Sequence, residues 1–208
     1  MPRGKARPPR LSNDNPALRR VVTAARHHFF AHGFRSVTMD DLAEELGMSK
    51  KTLYACFPSK TALLEAVLVD KFRSIETDFE AITSKSASDV LGALHRLLAC
   101  VQRHTDEIQP PFVRDMRREP ELFKLVESRR RDHIQRHFGK LFEEGRRTGI
   151  IRKDIPAELV IEILLGAVQA VMNPKKMVEL GLTPNTAFSA IIAVILDGII
   201  TATGRSKR

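Results

Sequence analysis

Ser49-Lys50-Lys51-Thr52, followed one residue later by Tyr54, gathers two ammonium groups and three hydroxyls into a short stretch. An ammonium group donates to phosphate oxygens or to the O6 and N7 edge of guanine. A hydroxyl donates to a phosphate or meets a base edge. These are the groups that the edges and phosphates of DNA accept, so the chemistry on offer is recognition.

The surrounding spacing supplies elements that would hold these groups outward. Thr38 is an N-cap, and Asp41 three residues later completes a capping box in which Glu is the usual partner. Leu42, Ala43 and Leu46 mark one helical face, and the small Ala43 permits a close helix approach. Gly47 suits the left-handed position after a helix end. Ser49 is a second N-cap. Leu53 points back at Leu42 and Leu46, which places residues 50–57 as the second helix of a helix-turn-helix. An ordinary αα-hairpin that touches no nucleic acid has the same caps and glycine. The flanking sequence separates the two.

Upstream runs Ala17-Leu-Arg-Arg-Val-Val-Thr-Ala-Ala-Arg-His-His-Phe-Phe-Ala-His-Gly-Phe34, then Val37-Thr38. Downstream come Leu53-Tyr54, Phe57-Pro-Ser-Lys60 and Leu63-Leu64-Glu-Ala-Val67. Over residues 17–68 this resembles the TetR family of one-component transcriptional regulators. The resemblance implies a DNA-binding head and a helical body that binds a small-molecule effector and dimerises. It implies that Lys50, Lys51 and Thr52 reach base edges, while Thr38, Tyr54 and Lys60 hold phosphates around the Ser49 cap. The family commonly carries His at the position of Ala55 and Tyr at that of Cys56. Their absence removes two phosphate contacts, which the basic N-terminal arm would offset.

Charge agrees with a polyanion partner for the head. The 208 residues carry a net charge of +9, and residues 1–60 hold 11 Lys/Arg against 5 Asp/Glu. Residues 1–15 read as a flexible arm, with Arg3, Lys5, Arg7 and Arg10 available for a groove or phosphate contact, or as a solubilising tail. Cys56 and Cys100 read as reduced, small apolar residues. With no secretory signal and no apolar run long enough to span a bilayer, the expected location is the cytoplasm, with no membrane partner.

The expected fold is all-α, with a three-helix DNA-binding domain over 16–62 and an effector-binding and dimerisation domain over 63–208. Helices are expected over 16–32, 60–83, 88–104, 112–118, 120–148, 156–172 and 184–203. The last two long helices are apolar nearly all round, through Val160 to Met172 and Ala187 to Ile200. Such helices must be covered all round, and a second copy of the chain is the expected cover. In the resembled family these helices form a four-helix dimer interface. A two-fold dimer places its recognition helices about 34 Å apart and calls for a palindromic operator. Effector contacts are expected from Leu94, His95, Leu98, Phe112, Met116, Phe123 and Val126, although plain core packing explains each apolar one as well.

No cofactor or metal is expected. His133 and His137 stand four apart on one helix face, but the sequence shows no third ligand beside them. His27, His28 and His32 read as surface or packing residues. No phosphate loop, nucleophile elbow, HExxH or CxxC is present, so an enzyme is not expected. Two readings follow: a ligand-responsive dimeric repressor, or a helical ligand-binding or scaffold protein without specific DNA recognition. Only the first prefers one site over competitor DNA by about 1000-fold or more.

Overall fold

The computed structural model describes residues 15–86, 88–171 and 174–205. The expected basic arm, with Arg3, Lys5, Arg7 and Arg10, lies outside the described residues, as does Met172 at the expected end of its helix. The described elements are α1 (Pro16–His32), α2 (Met39–Glu45), α3 (Lys50–Cys56), α4 (Lys60–Thr83), α5 (Val90–Asp106), α6 (Pro110–Met116), α7 (Pro120–Arg147), α8 (Ala157–Val171), α9 (Pro174–Leu180), α10 (Pro184–Ile199) and α11 (Ala202–Arg205). The fold is all-helical; among the described residues the sole extended pairing is an isolated bridge between Ile151 and Ile200.

Two compact units divide the chain, Met1–Ser74 with Asp106–Val126, and Ile75–Thr105 with Glu127–Arg208. In the first, Asn15 caps α1 by accepting from the amides of Ala17 (3.0 Å) and Leu18 (3.4 Å), and Pro16 occupies the first turn, where no amide is needed. Val21, Val22, Ala25, Phe29 and Phe30 of α1 are buried against Leu42, Leu53, Phe57, Leu63, Leu64 and Val67. Phe112 and Met116 of α6 complete the same core, and Phe112 meets Phe30 ring to ring at 4.8 Å. α6 starts two residues before its expected start because Pro110 and Pro111 fill its first turn instead of interrupting it.

Gly33 shows why α6 can seat at the end of α1. Its φ of 85° is open to glycine, and a Cβ there would meet Asp115 Oδ2 at 2.6 Å. That carboxylate oxygen accepts from the Arg35 amide at 2.9 Å, so the glycine makes room for a cap on the turn that follows.

The second unit packs Phe79, Leu94, Leu97, Phe138, Leu141, Phe142, Ile161, Leu164, Leu165, Leu196 and Ile199 into one core. α8 and α10 pack on each other within it. Their outer faces remain apolar and exposed: Leu159 and Ile163 are 48 % and 51 % accessible, and Val194 is 75 %. Gly166 and Gly198 lie on exposed positions of these helices, where an added Cβ would meet nothing within 4 Å. α10 stops at Ile199, short of the expected Thr203. Ile200 is extended because its neighbours pair with 150–152: Arg152 N–H donates to Ile199 O, and Thr201 N–H to Ile150 O, each at 2.9 Å. The short α9 is not among the expected helices; a proline at the first turn serves to start a helix as well as to stop one.

Candidate nucleic-acid interface

Each end of α2 and α3 is fixed by the groups expected from sequence. Thr38 Oγ1 accepts from the Asp41 amide and Asp41 Oδ2 from the Thr38 amide, both at 3.1 Å, a closed capping box. Hydrogen bonding from the Thr38 side chain and amide holds the Asp41 carboxyl below its ordinary pKa. Gly47 turns the chain with φ 63°. Ser49 Oγ accepts from the Thr52 amide at 3.1 Å and shares a hydroxyl–hydroxyl bond with Thr52 at 2.8 Å. Leu53, fully buried, and Phe57 lock α3 onto α1, α2 and α4.

That lock orients the rest of the helix. With Leu53 inward, Lys51 and Ala55 lie on the opposite face, Thr52 and Tyr54 flank it, and Lys50 stands exposed at the first turn. Tyr54 is 47 % accessible. Lys51 engages no acidic side chain among the described residues. Lys50 does: its ammonium donates to Asp40 Oδ2 at 2.5 Å, which raises its pKa and offsets part of its charge. Asp40 is a participant that sequence reasoning passed over; here the first turn of α2 lies within ion-pair reach of the first turn of α3. Lys60 is also partly spoken for. It donates to Arg35 O at 3.2 Å and Val37 O at 3.0 Å and lies over the Phe34 ring, so it ties the entry of α2 to the start of α4 with one N–H left over. The Thr38 hydroxyl accepts from the Asp41 amide and also lies against the Asp41 carboxylate, whose pKa it lowers. Ala55 leaves a bare patch on the outward face, and Cys56 is a half-buried free thiol packed against the core.

The expected effector residues do not share one core. Leu94 and Leu98 are packed inside the second unit, whereas Phe112 and Met116 are buried in the first, with Val126 partly buried against them. His95 is exposed, its Nδ1 against Leu91 O at 2.8 Å, and Phe123 is exposed. The reason is local: α6 turns its apolar side to Phe30 and the end of α1. An open polar cleft of about 610 Å³ lined by Thr83, Ser84, Ser86, Lys140, Glu143, Glu144 and Arg147 holds none of the seven.

A second departure concerns His133 and His137. The third donor group that sequence inspection did not find is Glu76, which α4 brings against both imidazoles. Its signal was present: Glu76 interrupts the apolar stripe Phe72, Phe79 of α4 at helical spacing. Among the described residues no single helix is long and apolar enough to cross a membrane.

Residues 21–67 match the family model of bacterial regulatory proteins, tetR family. Over its length the chain is similar to the uncharacterized HTH-type transcriptional regulator YvaF of Bacillus subtilis, 25 % identical across 79 % of this chain and 86 % of that one. A transcriptional regulator from Cytophaga hutchinsonii shares the fold, with a TM-score of 0.69 at 21 % identity, covering 90 % of this chain and 100 % of that one. So does a transcriptional regulator from Saccharomonospora viridis solved in complex with choline, with a TM-score of 0.66 at 20 % identity over 89 % and 98 % of the two chains. These relatives are regulators by name, not enzymes. With its helix-turn-helix head, its regulator relatives and its all-helical architecture in agreement, the chain belongs to the tetR family of transcriptional regulators.

Proposed function

We propose that this regulator is a homodimeric repressor that binds a palindromic operator in the cytoplasm and leaves it when a small molecule binds the second unit. The observation that carries the reading is the outward face of α3, where Lys51 and Tyr54 stand unopposed on a helix locked by the buried Leu53. Thr38, Ser49, Lys50, Thr52 and Lys60 are the remaining proposed DNA contacts. Lys50 and Lys51 read base edges, and the hydroxyls and Lys60 set register on phosphates.

Dimerisation is supported by the outer faces of α8 and α10. Leu159, Ile163 and Val194 expose apolar surface that a monomer gains nothing by displaying, and Gly166 and Gly198 allow a partner helix to approach closely. A two-fold axis through these helices gives each dimer two α3 helices for two half-sites. The choline complex of the Saccharomonospora viridis protein supports a small-molecule site in this architecture. The effector of this chain acts by preferring the DNA-incompetent dimer, since equal affinity for both states shifts nothing. α4 is the covalent route, because it begins beside α3 and ends in the second unit.

Half-site spacing tests the dimer geometry. Inserting about 5 bp, half a helical turn, between the two halves of a bound site should abolish cooperative binding, and inserting about 10 bp should restore part of it. Equal affinity for all three spacings contradicts a two-fold reader.

A further inference from the structure

Glu76 carries its carboxylate into the apolar side of α4, beside Phe79, where an ionised group needs partners to remain charged. Its two oxygens have different surroundings. Oε1 accepts from the Arg136 guanidinium. Oε2 faces the imidazoles of His133 and His137, the former through Nδ1 and the latter through Nε2 at 3.3 Å. Phe79 stands edge-on to both rings and walls them from water.

The protonation of His137 follows from its other nitrogen. Thr83 Oγ1 donates its one hydrogen to Phe79 O at 2.9 Å, so at 3.2 Å it can only accept from His137 Nδ1–H. In the neutral ring, Nε2 is then a bare lone pair. It points at Glu76 Oε2, and neither atom forms a hydrogen bond among the described residues, although both are buried. The His137 side chain is 4 % accessible, out of reach of bulk solvent. A lone pair and a carboxylate oxygen facing each other repel, unless a proton, a water or a metal cation sits between them. The 3.3 Å gap is the separation of two ligands about 2.05 Å from a tetrahedral ion, whereas His133 Nδ1 touches Glu76 Oε2 directly and must swing away to admit one. The three donor atoms all lie within 4.8 Å of one another.

We propose that Glu76, His133 and His137 form a binding site for one divalent transition-metal ion of the zinc, cobalt or nickel kind. Two imidazoles and one carboxylate suit these ions, whereas magnesium and calcium call for oxygen ligands throughout. Burial lowers the pKa of the His137 imidazole, against the opposing pull of the Glu76 carboxylate. Thr83 and Arg136 orient His137 and Glu76 from behind, as outer partners do in metal centres. Three protein donors leave a fourth position for water or for a donor atom of a small molecule. The neighbouring group Asp78, Cys100 and His104 differs: Asp78 Oδ2 already accepts from Arg103 at 2.7 Å and His104 at 2.9 Å, so its hydrogen bonds close the cluster without an ion.

Cobalt titration of the tag-free, chelator-treated full chain tests the site without DNA, so the result stands apart from the operator reading. One Co²⁺ per chain should bind with the strong visible absorption of a low-coordinate site, and Zn²⁺ should displace it. Glu76→Gln, His133→Gln and His137→Ala should each weaken binding at least tenfold, while His28→Ala and His104→Ala should not. Far-UV circular dichroism checks that each variant is folded, and Zn²⁺ should raise the melting temperature of the unaltered chain. Cobalt that keeps the weak absorption of its hydrated ion, or that binds all three site variants as tightly as the unaltered chain, overturns the proposal.

Discussion

Replacing Lys51 with alanine separates recognition from folding, because Lys51 is exposed and engages no acidic side chain among the described residues. Its loss should leave the melting temperature unchanged. On DNA the cost is counted twice, since a dimer brings two copies of α3. One lysine contact to a base edge is worth about 1–3 kcal/mol of discrimination, so two give about 2–6 kcal/mol, or at least about 30-fold on the operator. Loss on random-sequence DNA should be smaller, and the slope of log affinity against log salt should change little, since the contact is to a base edge and not to a phosphate. Lys50→Ala should cost less than Lys51→Ala, because Lys50 is already paired with Asp40 at 2.5 Å in an exposed ion pair of small worth. Asp40→Asn should raise affinity for any DNA, by freeing Lys50 and removing a carboxylate from the path of the phosphates. Fluorescence anisotropy across a salt series reads all three. A Lys51→Ala dimer that keeps operator affinity within twofold refutes α3 as the reading surface in this orientation.

Gly33→Ala should destabilise the first unit by about 2–4 kcal/mol, since it places a side chain at φ 85° and forces Asp115 off the Arg35 amide; thermal melts measure it. Thr38→Ala should cost about 1 kcal/mol by opening the capping box, read in the same melts. Asp41 has a lowered carboxyl pKa in the fold, so its contribution is complete above the ordinary carboxylate range and is lost as pH falls through the folded value. The stability gap between the unaltered chain and Asp41→Asn should therefore close on acidification, and a gap constant down to low pH contradicts the capping role. Ile163→Glu should convert the dimer to monomers in sedimentation, because the charge would be buried in the proposed interface; an unchanged dimer places that interface elsewhere.

The head was legible because its signals are local. Asn15, Thr38 and Ser49 cap helices where their side chains permit, Gly47 turns where only glycine turns cheaply, and Leu53 falls inward by helical period. The body was legible as helices, but not in its partnerships. Phe112 and Met116 read as lining for an effector space, yet they belong to the head's core, because Gly33 lets α6 seat against α1 across a long sequence gap. Glu76 and the two histidines are distant in sequence, so no spacing rule joins them; only the packing of α4 on α7 within the second unit does. The Asp40–Lys50 pair hides for the same reason on a smaller scale.

Selection of binding sites from a random DNA pool at physiological salt, with the unaltered chain and Lys51→Ala in parallel, tests the central claim most directly. The account predicts an enriched palindrome whose half-sites lie about 10 bp apart, bound about 1000-fold or more above competitor, and relaxed at defined positions by the substitution. Enrichment of no motif, with binding that falls away as salt rises and is the same for both proteins, would contradict it.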